Sequence, residues 1–328
     1  MKTKARVVVM DRPGGPEVLR VEEREVGAPS AGQVLIRQTA AGVNYVDLQH
    51  RSGRYPLPAY PAVIGMEAAG VVEEAGAGVT SCKRGDRVAY TTPPPGGYAE
   101  WRIMPADRLV PVPAGLDMML VASSILRGLT AHYLIKGTFE VGRGHVIVVH
   151  AAAGGVGQIV CQWAKHLGAT VIGTVGSDEK IALAKSFGCD HVIVNEREDL
   201  SARVKAITNG RGADVVYDSI GPATFDKSLA SLKARGLLVS FGTASGPLPP
   251  FDIFRLNHMG SLYVTSAGLL TYTTDRDELL LRAKEYFEAL QSGIVKLEVR
   301  HRYPLAEAAQ AHRDMAARKT TGAIALVW

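Results

Sequence analysis

The run Ala151-Ala152-Ala153-Gly154-Gly155-Val156-Gly157 sets out the first chemistry this sequence can do. Three glycines in four positions leave a backbone with no side chains to keep an anion away. A helix starting there would bring its positive N-terminal end to the same place. A pyrophosphate suits both features, so Ala153, Gly154, Gly155, Val156 and Gly157 are candidate contacts to a dinucleotide. Ala152 stands where the strict G-x-G-x-x-G run has its first glycine, and a plain tight strand-to-helix turn is the competing reading. An NAD site would place Asp or Glu about 20 residues further on, to hold the ribose hydroxyls. This chain has Val175-Gly176-Ser177 there instead. Asp178 and Glu179 come too late and suit the opening of the next helix, where acids meet the positive dipole. Ser177 and Lys180 can donate to a 2′-phosphate, although each alone reads as a solvated surface group. The missing acid and the two donors together favour NADP.

Those residues need a strand, a turn and a helix to carry them. Val146–His150 is the short apolar run of a buried parallel strand. Ile159, Trp163 and Leu167 recur at helical spacing in the segment 158–168. From about Ser123 strands and helices alternate: strand 170–175, helix 178–187, strand 191–194, helix 198–208, strand 214–218, helix 223–233, strand 237–241 and strand 260–266. Such alternation argues a doubly wound parallel sheet. Ser240, Phe241 and Gly242 close its fifth strand at the carboxyl edge, where ligands bind, and the backbone of the last two is a candidate nicotinamide contact. The first third is β-rich, with strands expected at 6–10, 34–39 and 68–74, a turn entering another strand over 85–90 and a surface loop over Thr92–Gly97. A helix over 275–291 and a strand over 323–327 close the chain.

At 328 residues there is room for about two domains. A hydrophobic share of 47% supplies sizeable cores, and a charged share of 21% is ordinary. The net charge of +5 is spread along the chain, with no arginine-rich arm or basic-aromatic module, so no nucleic-acid partner is expected. Cys82, Cys161 and Cys189 are the only cysteines, far apart and without C-x-x-C spacing, which suits a reducing compartment. The start, Met1-Lys2-Thr3-Lys4, leads into a strand-like run and not an apolar signal segment, and no apolar stretch reaches membrane-spanning length. The expectation is a soluble, cytoplasmic protein.

A resemblance then becomes specific. G-V-N-Y-V-D (42–47), R-S-G-R-Y-P (51–56), G-M-E-A-A-G (65–70), G-D-R-V (85–88), R-G-L-T-A (127–131), A-A-x-G-G-V-G-Q (151–158), V-V-Y-D-S-I-G (215–221) and G-S-L-Y-V-T (260–265) occur in one order. Together they resemble the NADPH:quinone oxidoreductases, the ζ-crystallin-like branch of the medium-chain dehydrogenases/reductases. The resemblance implies a Rossmann domain (125–266) inserted in a GroES-like β-rich catalytic domain (1–124 and 267–328), NADPH as cofactor, a quinone as substrate, and a homodimer joined partly through the edge strand around Leu262–Thr265.

Zinc-bearing relatives carry Cys where this chain has Asn44 and His where it has Met66. Glu67 alone cannot hold a metal, so no metal site is expected. Without a Lewis acid, alcohol oxidation loses its usual help, whereas an electron-poor quinone accepts hydride with little more than orientation. Asn44 and Tyr45, with Tyr55 on the following loop, are the polar candidates for that orientation. By resemblance Asn44 lies near the nicotinamide ribose, the tyrosines beside the substrate and Thr130 near the carboxamide; a turn role for Asn44 and packing for the tyrosines are the alternatives. Arg127 could contact the acceptor or form a salt bridge. By the same resemblance Lys180 and Arg318 reach the adenosine end. Asn195 stands where bacterial relatives have a tyrosine beside the adenosine phosphate; it can hydrogen-bond but offers no ring. Two other functions remain open: reduction of α,β-unsaturated aldehydes or ketones, and a non-catalytic NADPH-binding protein of structural or RNA-associated role.

Overall fold

A computed structural model describes residues 3–91 and 93–328. Met1, Lys2 and the Thr92 end of the proline-rich run lie outside them. The chain divides into two units: the first uses the segments up to Leu126, Asp275–Phe287 and Leu297–Trp328, and the second Arg127–Thr274 with Glu288–Lys296.

In chain order the first unit opens with β1 (Thr3–Met10), β2 (Arg20–Val26), β3 (Gln33–Gly42), α1 (Tyr45–Ser52), β4 (Ala62–Val63), β5 (Glu67–Ala75), β6 (Arg87–Thr91), β7 (Trp101–Pro105), β8 (Val110–Pro111) and α2 (Met118–Ala122). Helix α3 (Ile125–His132) then runs into a π-helical segment, Tyr133–Thr138. The second unit continues with β9 (Val146–Val149), α4 (Gly157–His166), β10 (Thr170–Val175), α5 (Ile181–Ser186), β11 (His191–Val194), α6 (Leu200–Ile207), β12 (Ala213–Asp218), α7 (Phe225–Ser231), β13 (Leu232–Ser240), α8 (Phe254–His258) and β14 (Tyr263–Ser266). Then come α9 (Arg276–Gln291), β15 (Val299–Pro304), α10 (Ala308–Ala316) and β16 (Ala323–Val327).

In the second unit six parallel strands run in the order β11-β10-β9-β12-β13-β14. Every residue of β9 and β12 is buried, as strands covered on both faces require. Val148, Ile172, Ile193, Val216, Leu229 and Leu238 pack in its core. The strand order reverses between β9 and β12, so the carboxyl ends of these strands open a crevice of the kind that receives nucleotides. In the first unit β15-β16-β3-β5-β6-β8 form one sheet with β7 also on β3, and β2-β1-β4 a second, smaller one. Its core includes Met10, Ile36, Ile64, Val72, Tyr98 and Leu326.

Several expectations need correction. The helix expected to reach Lys233 stops at Ser231, because Leu232 already pairs with Ala213 as the first residue of β13. Phe241 lies beyond that strand. The last strand of the parallel sheet begins at Tyr263, not Gly260, since Gly260 (φ 107°) and Ser261 (φ 56°) take left-handed conformations. Helix α4 ends at His166, with Leu167 as its cap. The proline-rich loop is only partly superficial: Pro93 and Pro94 are exposed, but Gly96 and Gly97 are buried, both donating to the Gly65 carbonyl, at 2.8 and 2.9 Å. Strands β2, β7 and β15 and helices α1 and α10 were not expected from the sequence.

The first unit's central pairing depends on a close backbone approach at Gly70 of β5. A Cβ there would stand 2.3 Å from the Arg37 carbonyl oxygen and 2.7 Å from the Gln38 Cα of β3. Backbone on both sides cannot yield as a side chain can. Gly70→Ala is therefore expected to destabilise the protein by about 1–3 kcal/mol, which lowers Tm by roughly 1–5 °C at this size. Thermal unfolding followed by circular dichroism checks this, and an unchanged melting curve would contradict the close approach.

Candidate active site

The first unit's polar centre forms where β3 turns into α1. Asn44 caps that helix, with extended dihedrals (φ −130°, ψ 161°). Its backbone N–H donates to Asp47 Oδ2 at 2.8 Å, and its side-chain Nδ2 donates to Glu67 Oε1 at 2.7 Å. Glu67, fully buried as the first residue of β5, also accepts from the Leu126 N–H at 2.7 Å. Its carboxylate lies so close over Gly42 that a Cβ there would come within 2.0 Å of Oε1. Asn44 is thus more than a turn residue: two buried carboxylates set its backbone and its amide.

Behind Asp47 runs a buried chain of hydrogen bonds. Tyr98 Oη donates to Asp47 Oδ2 at 3.1 Å, Tyr98 Oη lies 3.0 Å from His312 Nε2, and Arg51 Nη1 lies 3.4 Å from His312 Nδ1. Burial pushes the Asp47 carboxyl up to about 7, with Glu67 adding repulsion and the Asn44 and Tyr98 hydrogen bonds working the other way. Burial first, then Arg51, pulls the His312 ring down to about 3, so it stays neutral. Asp47 Oδ1 has no hydrogen-bond partner among the described residues. Asp47, Glu67, Tyr98 and His312 were not among the expected catalytic residues. Asp47 was findable, since an acid three residues after an Asn is the pattern of a helix-capping pair. Tyr45 and Tyr55 are 46% and 43% exposed, which removes core packing as their explanation. Neither hydroxyl has a partner among the described residues, and Tyr55 sets its ring edge-to-face against His50.

In the second unit the glycine turn links β9 to α4. Ala151 takes a left-handed φ of 51°, and Gly154 N–H donates back to its carbonyl at 2.7 Å. A Cβ on Gly157 would come 2.3 Å from that same carbonyl oxygen, so α4 can start this close only with glycine. The N–H groups of Gly155, Val156 and Gly157 make no hydrogen bond among the described residues. A bare, side-chain-free helix N-terminus with unspent donors fits the pyrophosphate of a dinucleotide. Ala153 is buried beside it. Arg127 is buried with its side chain laid against Gly155, where a Cβ would meet its Cδ and Nε at 2.9 Å. Thr130 is buried one turn further along α3.

At the end of β10, Ser177 caps a short 3-10 turn (Asp178–Lys180), and Lys180 makes no ion pair among the described residues. Asp178 is engaged by Arg197, at 2.8 and 3.0 Å. Asn195 sits on the next strand end, its N–H donating to Val175 O at 3.0 Å and its Nδ2 to Thr174 Oγ1 at 3.1 Å. At the end of β13, Ser240 is buried, Phe241 N–H donates to Asp218 O at 2.9 Å, and Gly242 lies against the Ser219 backbone. The second unit therefore gathers the glycine turn, Arg127, Ser177, Lys180, Asn195 and Ser240–Gly242 on its own elements. Arg318 belongs to the first unit, exposed in a left-handed conformation (φ 57°) at the end of α10. Among the described residues, no three His, Cys, Asp or Glu side chains are grouped to hold a metal ion, and no helix is long and apolar enough to cross a membrane.

A GroES-like unit and a nucleotide-binding parallel sheet define the class of medium-chain dehydrogenases/reductases. The family model described as the alcohol dehydrogenase GroES-like domain matches residues 30–114, and that of the zinc-binding dehydrogenases residues 155–284. The chain is 44% identical to the quinone oxidoreductase of Pseudomonas aeruginosa, covering 96% of this chain and 97% of that protein. It is also 44% identical to the 2-haloacrylate reductase of a Burkholderia species, covering 97% and 98%. The crystal structure of Escherichia coli quinone oxidoreductase complexed with NADPH superposes with a TM-score of 0.96 at 41% identity, covering 98% and 100%. The chain belongs to the quinone oxidoreductase family.

The raised carboxyl of Asp47 makes stability depend on pH with a definite sign. The folded state holds a proton that the unfolded state, near the ordinary 3.8, has released. Stability from this group is full below about pH 4 and is lost as pH rises towards 7, with a slope of at most about 1.4 kcal/mol per pH unit. Asp47→Asn keeps the acceptor for Asn44 and Tyr98 and has no such proton. Urea unfolding at pH 5 and pH 8 should therefore show a larger pH-dependent loss in the wild type than in Asp47→Asn. Equal losses would show that Asp47 is not protonated in the folded state.

Proposed function

We propose that this protein reduces quinones with NADPH by direct hydride transfer, without zinc: quinone, NADPH and a proton give hydroquinone and NADP⁺. The observation that carries this reading is the near-full-length 44% identity to a quinone oxidoreductase, on a chain whose glycine turn presents free amides at a helix N-terminus. When bound, NADPH supplies the hydride, and the chain supplies binding and orientation.

In this proposal the amides of Gly155, Val156 and Gly157, next to Ala153 and Gly154, bind the pyrophosphate. Ser177, Lys180 and Arg318 bind the 2′-phosphate end, with Asn195 beside the ribose. Thr130, Ser240 and the backbone of Phe241 and Gly242 hold the nicotinamide, and Asn44 meets its ribose. Arg127, Tyr45 and Tyr55 address the acceptor; two exposed tyrosyl hydroxyls without a partner among the described residues suit polarising a quinone oxygen. Residues 125–266 are proposed as the NADPH-binding part and 1–124 with 267–328 as the catalytic part. Asn44 and Met66 at the ligand positions of zinc-bearing relatives support a metal-free site. The proposed setting is the cytoplasm, where NADPH is supplied and the thiols of Cys161 and Cys189, 3.5 Å apart, stay reduced.

A second reading has its own support. The Burkholderia relative, named for reduction of a 2-haloacrylate, is as similar as the quinone oxidoreductase, so an activated alkene is the alternative acceptor. NADPH oxidation with 1,4-benzoquinone, 9,10-phenanthrenequinone and 2-hexenal in parallel separates the two. We expect the quinones to have the higher kcat/KM, with activity unchanged by chelators and no stoichiometric zinc by elemental analysis; a faster enal would favour the alkene reading. NADPH should be preferred to NADH, and Lys180→Ala should reduce that preference by up to about tenfold to a hundredfold, less at high salt. Equal weakening of both cofactors would remove Lys180 from the site.

The protein is further proposed to be a homodimer. Strand β14 is the outer strand of its sheet, with Tyr263 60% exposed and Ile253 and Phe254 exposed at 68% and 70% nearby in sequence. Pairing such an edge with its twin across a two-fold axis removes a template for aggregation. Light scattering at micromolar concentration should give twice the chain mass, and a monomer mass would refute this.

A further inference from the structure

A buried polar chain lies beneath the carboxyl edge of the parallel sheet, and one carboxylate fixes the direction of every bond in it. Asp218, at the end of β12, accepts from the N–H groups of Ile220 and Gly221 at 2.8 and 3.1 Å. It also accepts from the hydroxyls of Thr224 and Ser228, each at 2.8 Å to Oδ2. A carboxylate has no hydrogen to give, so Ser228 must direct its own hydrogen at Asp218. Ser228 Oγ then can only accept from His150 Nε2, 2.9 Å away. Burial holds the His150 ring neutral by lowering its pKa, with the Asp218 charge opposing but weaker. A neutral ring with its hydrogen on Nε2 has a bare Nδ1, which must accept from the Thr174 hydroxyl at 3.0 Å. Thr174 Oγ1, its hydrogen committed, can only accept from Asn195, at 3.1 Å. The branch of the Asn195 amide turned inward is therefore Nδ2, as the bonding order requires.

The other branch follows. Asn195 Oδ1 has no partner among the described residues and is not one of the buried atoms without one, so it is open at the strand end. That end lies beside Val175-Gly176-Ser177 through the bond from Asn195 N–H to Val175 O. An open carbonyl oxygen accepts hydrogen bonds and repels anions. A ribose hydroxyl is welcome there, and a phosphate is not.

Resting on the cofactor placement proposed above, we infer that Ser228, His150 and Thr174 are positioning residues that lock the Asn195 amide with its oxygen outward, making Asn195 a reader that favours a ribose 2′-hydroxyl over a 2′-phosphate. The lock narrows the preference for NADPH that Ser177 and Lys180 create. With the lock broken, the amide can turn and offer Nδ2 to the phosphate.

The test is direct binding of NADPH and NADH to the full chain by titration calorimetry, in a double-mutant cycle. Thr174→Val removes the hydroxyl that holds the amide and should raise the NADPH-to-NADH affinity ratio by about threefold to tenfold. Asn195→Ala should weaken NADH by a similar factor and leave NADPH unweakened. In the Asn195→Ala background Thr174→Val should change the ratio no further. Thr174→Ser retains the hydroxyl and should restore the wild-type ratio, which separates the lock from general damage to the strand. If Thr174→Val leaves the ratio unchanged, or shifts it equally without Asn195, the lock is wrong. If Asn195→Ala weakens both cofactors alike, Asn195 does not read the 2′ position. Lys180→Ala distinguishes the two failures: if it narrows the preference while Thr174→Val does nothing, only the lock falls. If neither substitution changes the ratio, the adenosine end does not lie at this edge and the cofactor placement falls with it.

Discussion

A carboxylate removed from water must be met by hydrogen-bond donors, and this constraint organises both units. Glu67 takes the Asn44 amide and the Leu126 N–H; Asp218 takes two backbone N–H groups and two hydroxyls. Leaving one such donor out would cost a few kcal/mol, against a net stability of only about 5–15 kcal/mol. The donors are therefore held, and with them the elements that carry them. Glu67 anchors the start of α1 and the entry to α3, and Asp218 anchors the turn into α7 and, through Ser228, the residue that opens the glycine turn. Polar geometry at the proposed site is inherited from these two satisfied charges.

The parallel sheet was legible because its strands announce themselves. Val146–Val149 is buried on both faces and so reads as an unbroken apolar run, Val215–Tyr217 gives β12 a shorter one between two aspartates, and β10 and β11 were placed at their observed limits. Boundaries failed where local geometry overrode pattern. Leu232 and Lys233 continue a helical periodicity, yet Leu232 is claimed by pairing with Ala213. Ser261 carries no sign of its left-handed φ. Strand β2 escaped notice because Arg20, Glu22, Arg24 and their neighbours are charged on both faces; what holds it is seven-residue pairing with β1, which no local pattern encodes.

The chemistry was legible to a similar depth. Residue types and spacing picked out the glycine turn and the missing acid after β10, because both depend on a side chain being absent at a given place. Partners distant in sequence were invisible. Asn44 reaches Glu67 across 23 residues, Tyr98 reaches His312 across 214, and His150 reaches Ser228 across 78. Each of these residues reads alone as an ordinary polar side chain, and only tertiary structure turns them into two directed networks. His150 is the sharpest case: in the sequence it reads as the last residue of an apolar strand, whereas it sits just beyond β9 and bridges Ser228 and Thr174.

Cofactor preference in such a site is a contest between unequal terms. A charge-assisted bond from Lys180 to a 2′-phosphate is worth about 1.5–3 kcal/mol when well made. Lys180 is partly exposed, so solvent and salt reduce that value. The outward amide oxygen of Asn195 is neutral, and its bond to a hydroxyl is worth about 0.5–1.5 kcal/mol. In the proposed placement it lies beside the same ribose, and it is backed by a buried network that salt does not reach. In the proposed placement the lysine term exceeds the amide term at low ionic strength and favours NADPH. As salt rises, the first term shrinks while the second holds, so the two reach near balance. In that placement, discrimination at high salt depends as much on how firmly the interior holds the residue that does not attract the phosphate as on the one that does.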